Sequence, residues 1–567
     1  MFLIAVLTYI LCSYVAATNG ERIIKTTNGP VRGRLQQYNN ISYYSYEGIP
    51  YAENPTGSLR FRPPVPRRPW TDVFNATREP LICPQMPVKY QKNDMSEDCL
   101  RINIFVPTRS TAETLPVLVF VHGGAFHYIS GNTDLIYGPE LLLERGIIFV
   151  TMNYRLGILG FMSLQVEGAS GNAGLKDILL ALEWIKVNIG RFGGSRDNIT
   201  IGGNSSGASI VNYLLMFKQS SGLFHRAILF SGSALSYRVL AKHPVENALN
   251  LAKLVCPDDK DKESILKCLR EADVFDLVKY FEQMREGDKN PLRPYTPFIP
   301  NIEKEFSHAV LTKPPIEMLR AHEFQNVPIL AGFNSNEGIY MASGYLRYPD
   351  LVVNILRKNI ELTIPSNIEY PLGSEKSMAL AKSILKFYFA DENFSNWTIS
   401  NAFDLISDTH YVHGVDLWIN MYKEKEDSNK VYYYYFDFDG ALNWYKIYYN
   451  ITYPGTSHGD DLGYVFITSA TKPKLKSADR KSLETLDVIL TVTTNFVKYG
   501  NPTPKNSSDY TWPEYEADRK MLLLNDKPSV IKINPTIRRR LNFWNDIYNE
   551  YHNYVSNGGV TENKIVP

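Results

Sequence analysis

An excess of charge of either sign is missing from this sequence. Its 60 Lys and Arg face 59 Asp and Glu, a formal net charge of +1 over 567 residues, which excludes a polybasic nucleic-acid binder and a disordered acidic chain. Cysteine is scarce, five in all, with no C-x-x-C and no clustered histidine beside them, so no metal site is expected. Repeats, low-complexity stretches and Pro/Gly/Ser linkers are absent as well. Long apolar runs are limited to residues 1–17, short of the roughly 20 residues a membrane span needs. Small Val15, Ala16 and Ala17 close that run and polar Thr18-Asn19-Gly20-Glu21 follows, the layout of a cleaved signal peptide. The polar C-terminus, 556–567, offers no lipid-anchor tail and no retention tetrapeptide. The expectation is a secreted chain with no membrane and no nucleic-acid partner.

What is present is ordinary globular material, 44% hydrophobic and 21% charged, with 37 Tyr and 27 Phe. Cys12 falls in the leader, leaving Cys83, Cys99, Cys256 and Cys268. Four cysteines allow three pairings, and in an oxidising compartment the local pairs Cys83–Cys99 and Cys256–Cys268 are the expected ones. Closing a loop of about 15 residues is worth about 3 kcal/mol in the chain-entropy model. N-x-S/T sequons at Asn40, Asn75, Asn198, Asn393, Asn396, Asn450 and Asn506 are candidate glycosylation sites.

Short β-branched or aromatic runs alternate with helical patterns. Residues 117–121, 147–151, 199–201, 329–331 and 431–438 read as strands, and 175–189 and 206–217 have helical apolar spacing. That alternation predicts an α/β fold with a largely parallel, buried sheet.

Gly203-Asn204-Ser205-Ser206-Gly207 is a G-x-S-x-G between a strand pattern and a helix pattern, the setting of a nucleophile elbow. Only Ser205 has glycine on both sides at two residues' distance; Ser206 would have Asn204 and Ala208 there. His122-Gly123-Gly124-Ala125-Phe126, directly after the 117–121 strand, is a turn of small residues able to aim backbone N–H groups at an oxyanion. A serine hydroxyl needs a base and an acid that orients the base, following it in chain order as acid and then histidine. His458, in the polar loop Pro454-Gly455-Thr456-Ser457-His458-Gly459, and His413 are the candidate bases, with the loop position favouring His458. Glu337, after the 329–331 strand, is one carboxylate among several that would serve.

On these motifs and their order, the chain resembles the type-B carboxylesterase/cholinesterase family along nearly its whole mature length. Gly48-Ile49-Pro50-Tyr51-Ala52 with Arg60-Phe61, Ser96-Glu97-Asp98-Cys99-Leu100, Asn153-Tyr154-Arg155-Leu156-Gly157, Gly171-Asn172-Ala173-Gly174-Leu175-Lys176-Asp177, Phe192-Gly193-Gly194, Gly500-Asn501-Pro502 and Trp512-Pro513 look like the family's landmarks. The resemblance implies one large α/β-hydrolase domain, here 18–567 after a signal peptide at 1–17, where length alone suggested about three or four domains. It puts Glu337 and His458 at the acid and base positions and makes Gly124, Ala125 and Ser206 the oxyanion donors. It implies a monomeric ester hydrolase acting on a small ester, with no cofactor.

Departures from the family pattern shape the substrate expectation. Asn204 stands where many members have Glu, and Ser206 where they have Ala. Ser195 replaces the usual Asp after Phe192-Gly193-Gly194, which leaves Arg155 without that ion-pair partner. No Trp lies between Cys83 and Cys99, where cholinesterases place a cation-binding Trp. Neutral, apolar esters are therefore expected rather than choline esters. The chain is similar to secreted insect esterases, although the Gly-Gln-Ser-Ala-Gly elbow of juvenile hormone esterases is not matched. Non-enzymatic interaction homologues lose the serine and carry a membrane span, unlike this chain; a slow esterase acting as a ligand sink stays open.

Overall fold

The computed structural model describes residues 20–87, 89–108, 114–287, 290–292, 295–390, 397–505 and 511–556. The expected signal peptide and the sequons at Asn393, Asn396 and Asn506 lie outside them. Thirteen strands form a single sheet: β1 (Glu21–Lys25), β2 (Pro30–Tyr38), β3 (Ile41–Pro50), β4 (Phe74–Asn75), β5 (Arg101–Pro107), β6 (Leu115–Val121), β7 (Ile148–Met152), β8 (Gly194–Asn204), β9 (Arg226–Phe230), β10 (Ile329–Asn334), β11 (Val431–Phe436), β12 (Lys520–Leu524) and β13 (Ser529–Lys532). Their order is β1-β2-β3-β5-β7-β6-β8-β9-β10-β11-β12-β13, with β4 on β2. From β7 to β12 neighbouring strands run parallel, in the order β7-β6-β8-β9-β10-β11-β12. The flanks, β1-β2-β3-β5-β7 and β12-β13, are antiparallel. The sheet is thus mixed, with the expected parallel part at its centre. This is the α/β-hydrolase fold.

The central strands are apolar on both faces, which is why they read as unbroken hydrophobic runs. In β6, Val117, Val119 and Val121 enter one core cluster while Leu118 and Phe120 enter another. In β11, Val431 and Tyr433 face the first cluster, and Tyr432, Tyr434 and Phe436 the second. The strand period of two residues sends alternate side chains to opposite layers of helices. The predicted helices form at Ala173–Asn188 and Ser206–Met216.

Both expected disulfides are present, with Cα separations of 5.0 Å for Cys83–Cys99 and 6.2 Å for Cys256–Cys268. Arg155, whose usual ion-pair partner Ser195 replaces, has a counter-charge from another element. Asp177, on the Ala173–Asn188 helix, accepts from its backbone N–H at 3.0 Å, from Nε at 2.8 Å and from Nη2 at 2.6 Å. Both side chains are buried, and a buried charge persists only when paired in this way.

Candidate active site

Ser205 occupies the one residue between β8 and the Ser206–Met216 helix, at φ 56° and ψ −127°. Such a conformation is costly for a residue with a Cβ and persists only where the surroundings enforce it. They do so here: Ser205 N–H donates to Phe230 O at 2.8 Å, and Ser205 O accepts from Ser209 N–H at 3.0 Å. The glycines answer to space. A Cβ on Gly203 would lie 2.5 Å from the Gly207 carbonyl, and one on Gly207 would lie 2.2 Å from Val121 O. A Cβ on Gly232, from the loop after β9, would come within 2.1 Å of Ser205 O. Asn204 is buried, and its Oδ1 accepts from Tyr137 Oη at 2.9 Å.

The loop after β6 packs against this turn. Gly124, Ala125 and Phe126 have φ of 95°, 54° and 67°, three successive left-handed residues. Gly124 O accepts from both His127 N–H and Tyr128 N–H at 2.9 Å, and Phe126 N–H donates to Ser206 Oγ at 3.2 Å. Among the described residues the N–H groups of Gly124 and Ala125 bond no acceptor. That of Ser206, the first residue of its helix, is one of the donors every helix leaves without an internal partner. His122 is buried, and desolvation pushes its pKa down to about 4.

Glu337 begins the short helix after β10 and is fully buried. Its Oε1 accepts from Ser231 Oγ at 2.6 Å and from Asn334 N–H at 2.7 Å, and its Oε2 lies 2.5 Å from His458 Nδ1. An ionised carboxylate only accepts, so the imidazole proton sits on Nδ1 and Nε2 presents its lone pair. Nε2 is buried with no partner, and no hydrogen bond joins it to Ser205 Oγ. The His458 loop is held from both ends: Asn334 Nδ2 donates to Ser457 O at 3.0 Å, Ser335 N–H to Thr456 Oγ1 at 2.8 Å, and Ser457 N–H to Asp460 Oδ2 at 2.7 Å. Tyr411 stacks on the imidazole with ring centroids 4.1 Å apart.

The other candidate base stands apart from this group. His413 Nε2 pairs with Asn545 Oδ1 at 3.0 Å on the Pro535–Ser556 helix, and burial takes its pKa to about 4. A cavity of about 40 Å³ brings together Ala125, Ser205, Ser206 and Tyr411 with Val239, Arg238 and His410. Sequence reasoning did not anticipate Ser231, Arg238, His410 or Tyr411, since no short motif marks them. Arg238 also lines this cavity and brings a guanidinium to it.

The Cys83–Cys99 loop, which lacks a Trp, carries Lys89 instead. Its Nζ lies 5.7, 4.2 and 5.0 Å from the ring centroids of Trp444, Tyr448 and Tyr449, and Trp444 in turn packs near Gly459. Of the described sequons, Asn40, Asn75 and Asn450 are exposed. Asn198 is partly buried, with Nδ2 donating to Lys498 O at 3.2 Å and Oδ1 accepting from Arg226.

A sequence profile described as "Carboxylesterase family" matches residues 20–544. A juvenile hormone esterase of Tribolium castaneum is 31% identical over 529 residues, covering 89% of this chain and 88% of that protein. Esterase B1 of Culex pipiens is 32% identical over 494 residues, covering 84% and 88%. Among solved structures, juvenile hormone esterase of Manduca sexta with OTFP covalently attached superimposes with a TM-score of 0.82 at 29% identity, covering 93% of this chain and all of that one.

Proposed function

The chain belongs to the carboxylesterase family and is an ester hydrolase, and from that premise we propose that Ser205, His458 and Glu337 are its catalytic triad. One observation carries the reading: His458 is bonded through Nδ1 to buried Glu337 while its Nε2 is left without a partner. Nε2 takes the proton as Ser205 Oγ attacks the ester carbonyl. Glu337, fixed by Ser231 and Asn334, keeps the imidazole in the correct tautomer and stabilises its charged form. The N–H groups of Gly124, Ala125 and Ser206 receive the oxyanion, preorganised by a loop that already carries its strain. The alcohol leaves with the proton from His458, and a water activated by the same Nε2 returns the acid from the acyl-enzyme.

The substrates of this reading are small esters without a cation. Asn204 supplies no carboxylate beside the nucleophile, Arg238 repels positive charge, and the Cys83–Cys99 loop has no Trp and sets Lys89 among aromatic rings. The protein is read as a secreted glycoprotein monomer whose residues 1–17 are removed and whose sugars sit on exposed sequons such as Asn40, Asn75 and Asn450. Among the described residues no helix is long and apolar enough to cross a membrane. Relatives named as juvenile hormone esterases and as general esterases match to similar extents, so a juvenoid methyl ester belongs in the substrate panel.

Turnover of a short-to-long acyl series of esters tests the proposal. Ser205→Ala is expected to lower kcat by several orders of magnitude, toward roughly a million-fold, with the fold intact. A fully active alanine variant would end it.

A further inference from the structure

The hydrolytic steps leave one charged group in the cavity without a task. Arg238 follows β9 on the same loop as Ser231 and Gly232. Its Nη1 donates to Tyr340 Oη at 2.8 Å and to His410 Nδ1 at 2.9 Å. A guanidinium has no lone pair to offer, so His410 Nδ1 accepts and the ring's proton sits on Nε2. That nitrogen faces Tyr237 Oη at 2.7 Å and Leu292 O at 3.1 Å. Burial and the adjoining guanidinium keep the His410 pKa well below its ordinary value, so His410 is a neutral prop and not a counter-charge.

The rest of the guanidinium is unused. Among the described residues Nε is closed off from water with no partner, and the guanidinium's hydrogen bonds run from Nη1. The buried arginines each hold a carboxylate: Arg60 has Glu97, Arg155 has Asp177, and Arg540 has Asp404 and Asp408. Arg238, partly buried, has none among the described residues. It also stands where two cavities meet. One is the cavity of about 40 Å³ at Ser205; the other, of about 300 Å³, is lined by Tyr237, Thr296, Ile364 and Tyr370 beside Arg238. An ester reacting at Ser205 and extending toward the larger space passes this side chain. Nη2, which makes no hydrogen bond among the described residues, is the donor that can meet a carboxylate through a charge-assisted hydrogen bond.

We propose that Arg238 is a specificity-determining residue that selects esters carrying a second, free carboxylate on a short acyl chain, the half-esters of small dicarboxylic acids. The smallness of the cavity at Ser205, with room for only a few waters, sets the short spacing. The inference rests on the esterase reading and adds a binding step to it. Ser205 Oγ bonds the acyl carbon, the alcohol leaves with a proton from His458, and water releases the dicarboxylic acid. Arg238 exchanges no proton or electron.

The test compares kcat/KM for monoethyl glutarate and ethyl hexanoate, with released ethanol as the readout and rates normalised to Ser205 titrated by a fluorophosphonate. The native enzyme is expected to favour the half-ester by about 10- to 100-fold, the scale of a hydrogen-bonded charge. Arg238→Met should abolish that preference, and Arg238→Lys should restore part of it in a salt-sensitive form. A native ratio of one or below, or a methionine variant that slows both esters equally, would overturn the inference and assign Arg238 a purely structural role. If ethyl hexanoate is turned over and Ser205 is titrated in that case, the triad stands without it; if neither happens, the esterase reading beneath it falls.

Discussion

Ser205 shows how far a single residue can be read from sequence. Its backbone needs an enforced left-handed turn, and the enforcement is steric: Gly203, Gly207 and Gly232 leave no room for a methyl group. Two of those glycines are the motif, so Ser205 is legible in five letters. Glu337 is not, because carboxylates are common and what distinguishes this one is contact with Ser231 from a distant loop. Ser231→Ala removes a charge-assisted hydrogen bond of 2.6 Å, worth about 1.5–3 kcal/mol. We expect kcat to fall by roughly 10-fold or more with KM little changed, measured by steady-state kinetics on a neutral ester. An unaltered kcat would mean that Asn334 alone fixes the carboxylate. Asn204 heads an N-S-S sequon but is buried with its Oδ1 bonded to Tyr137. Glycopeptide mapping should find it bare while exposed Asn40, Asn75 or Asn450 carry sugar; a glycan on Asn204 in active enzyme would contradict the elbow.

At the scale of elements, the central strands were legible because burial on both faces writes them as unbroken apolar runs, whereas the antiparallel flanks were not. β2, with Arg32, Arg34, Gln36 and Gln37, is half exposed and carries no such signature. His413 and His410 illustrate the same limit. They lie one turn apart on neighbouring helical segments, yet one meets Asn545 and the other Arg238, a difference created by elements remote in sequence. The Cys83–Cys99 loop docks Lys89 among aromatic rings, and burial pushes its ammonium from 10.5 down to about 8. Between about pH 8 and 10.5 the unfolded chain therefore holds a proton that the folded protein has released, so stability rises with pH across that window. Urea unfolding should show this rise in the native protein and a weaker one in Lys89→Met. Parallel curves would place the lysine in water.

For the whole molecule, function follows from which ends of the strands face the cavity. The 122–126 loop follows β6, Ser205 follows β8, Ser231 follows β9, Glu337 follows β10 and the His458 loop comes after β11. Open α/β sheets place their ligands beyond the carboxyl ends of parallel strands, and the mixed sheet here keeps that arrangement in its parallel centre. The same compact interior makes two of its histidines resist protonation. His122 and His413, both buried, titrate near 4 in the fold against 6.5 when exposed. Between those values the unfolded state binds more protons at these two sites, so their contribution to stability falls as pH drops from about 6.5 to about 4, opposed by buried Asp408 and Asp460, whose carboxyls burial pushes up to about 7 and about 8. His413→Gln should reduce that loss by up to about 3 kcal/mol; an unchanged acid profile would mean that His413 charges freely in the folded state. The central claim is that one serine among many is activated, through a base on a loop more than two hundred residues away. Labelling the intact protein with a fluorophosphonate and mapping the modified peptide tests it most directly. The account predicts one phosphonyl group per chain, on Ser205, and none in His458→Ala; a label on Ser206, or labelling of Ser205 unaffected by loss of His458, would contradict it.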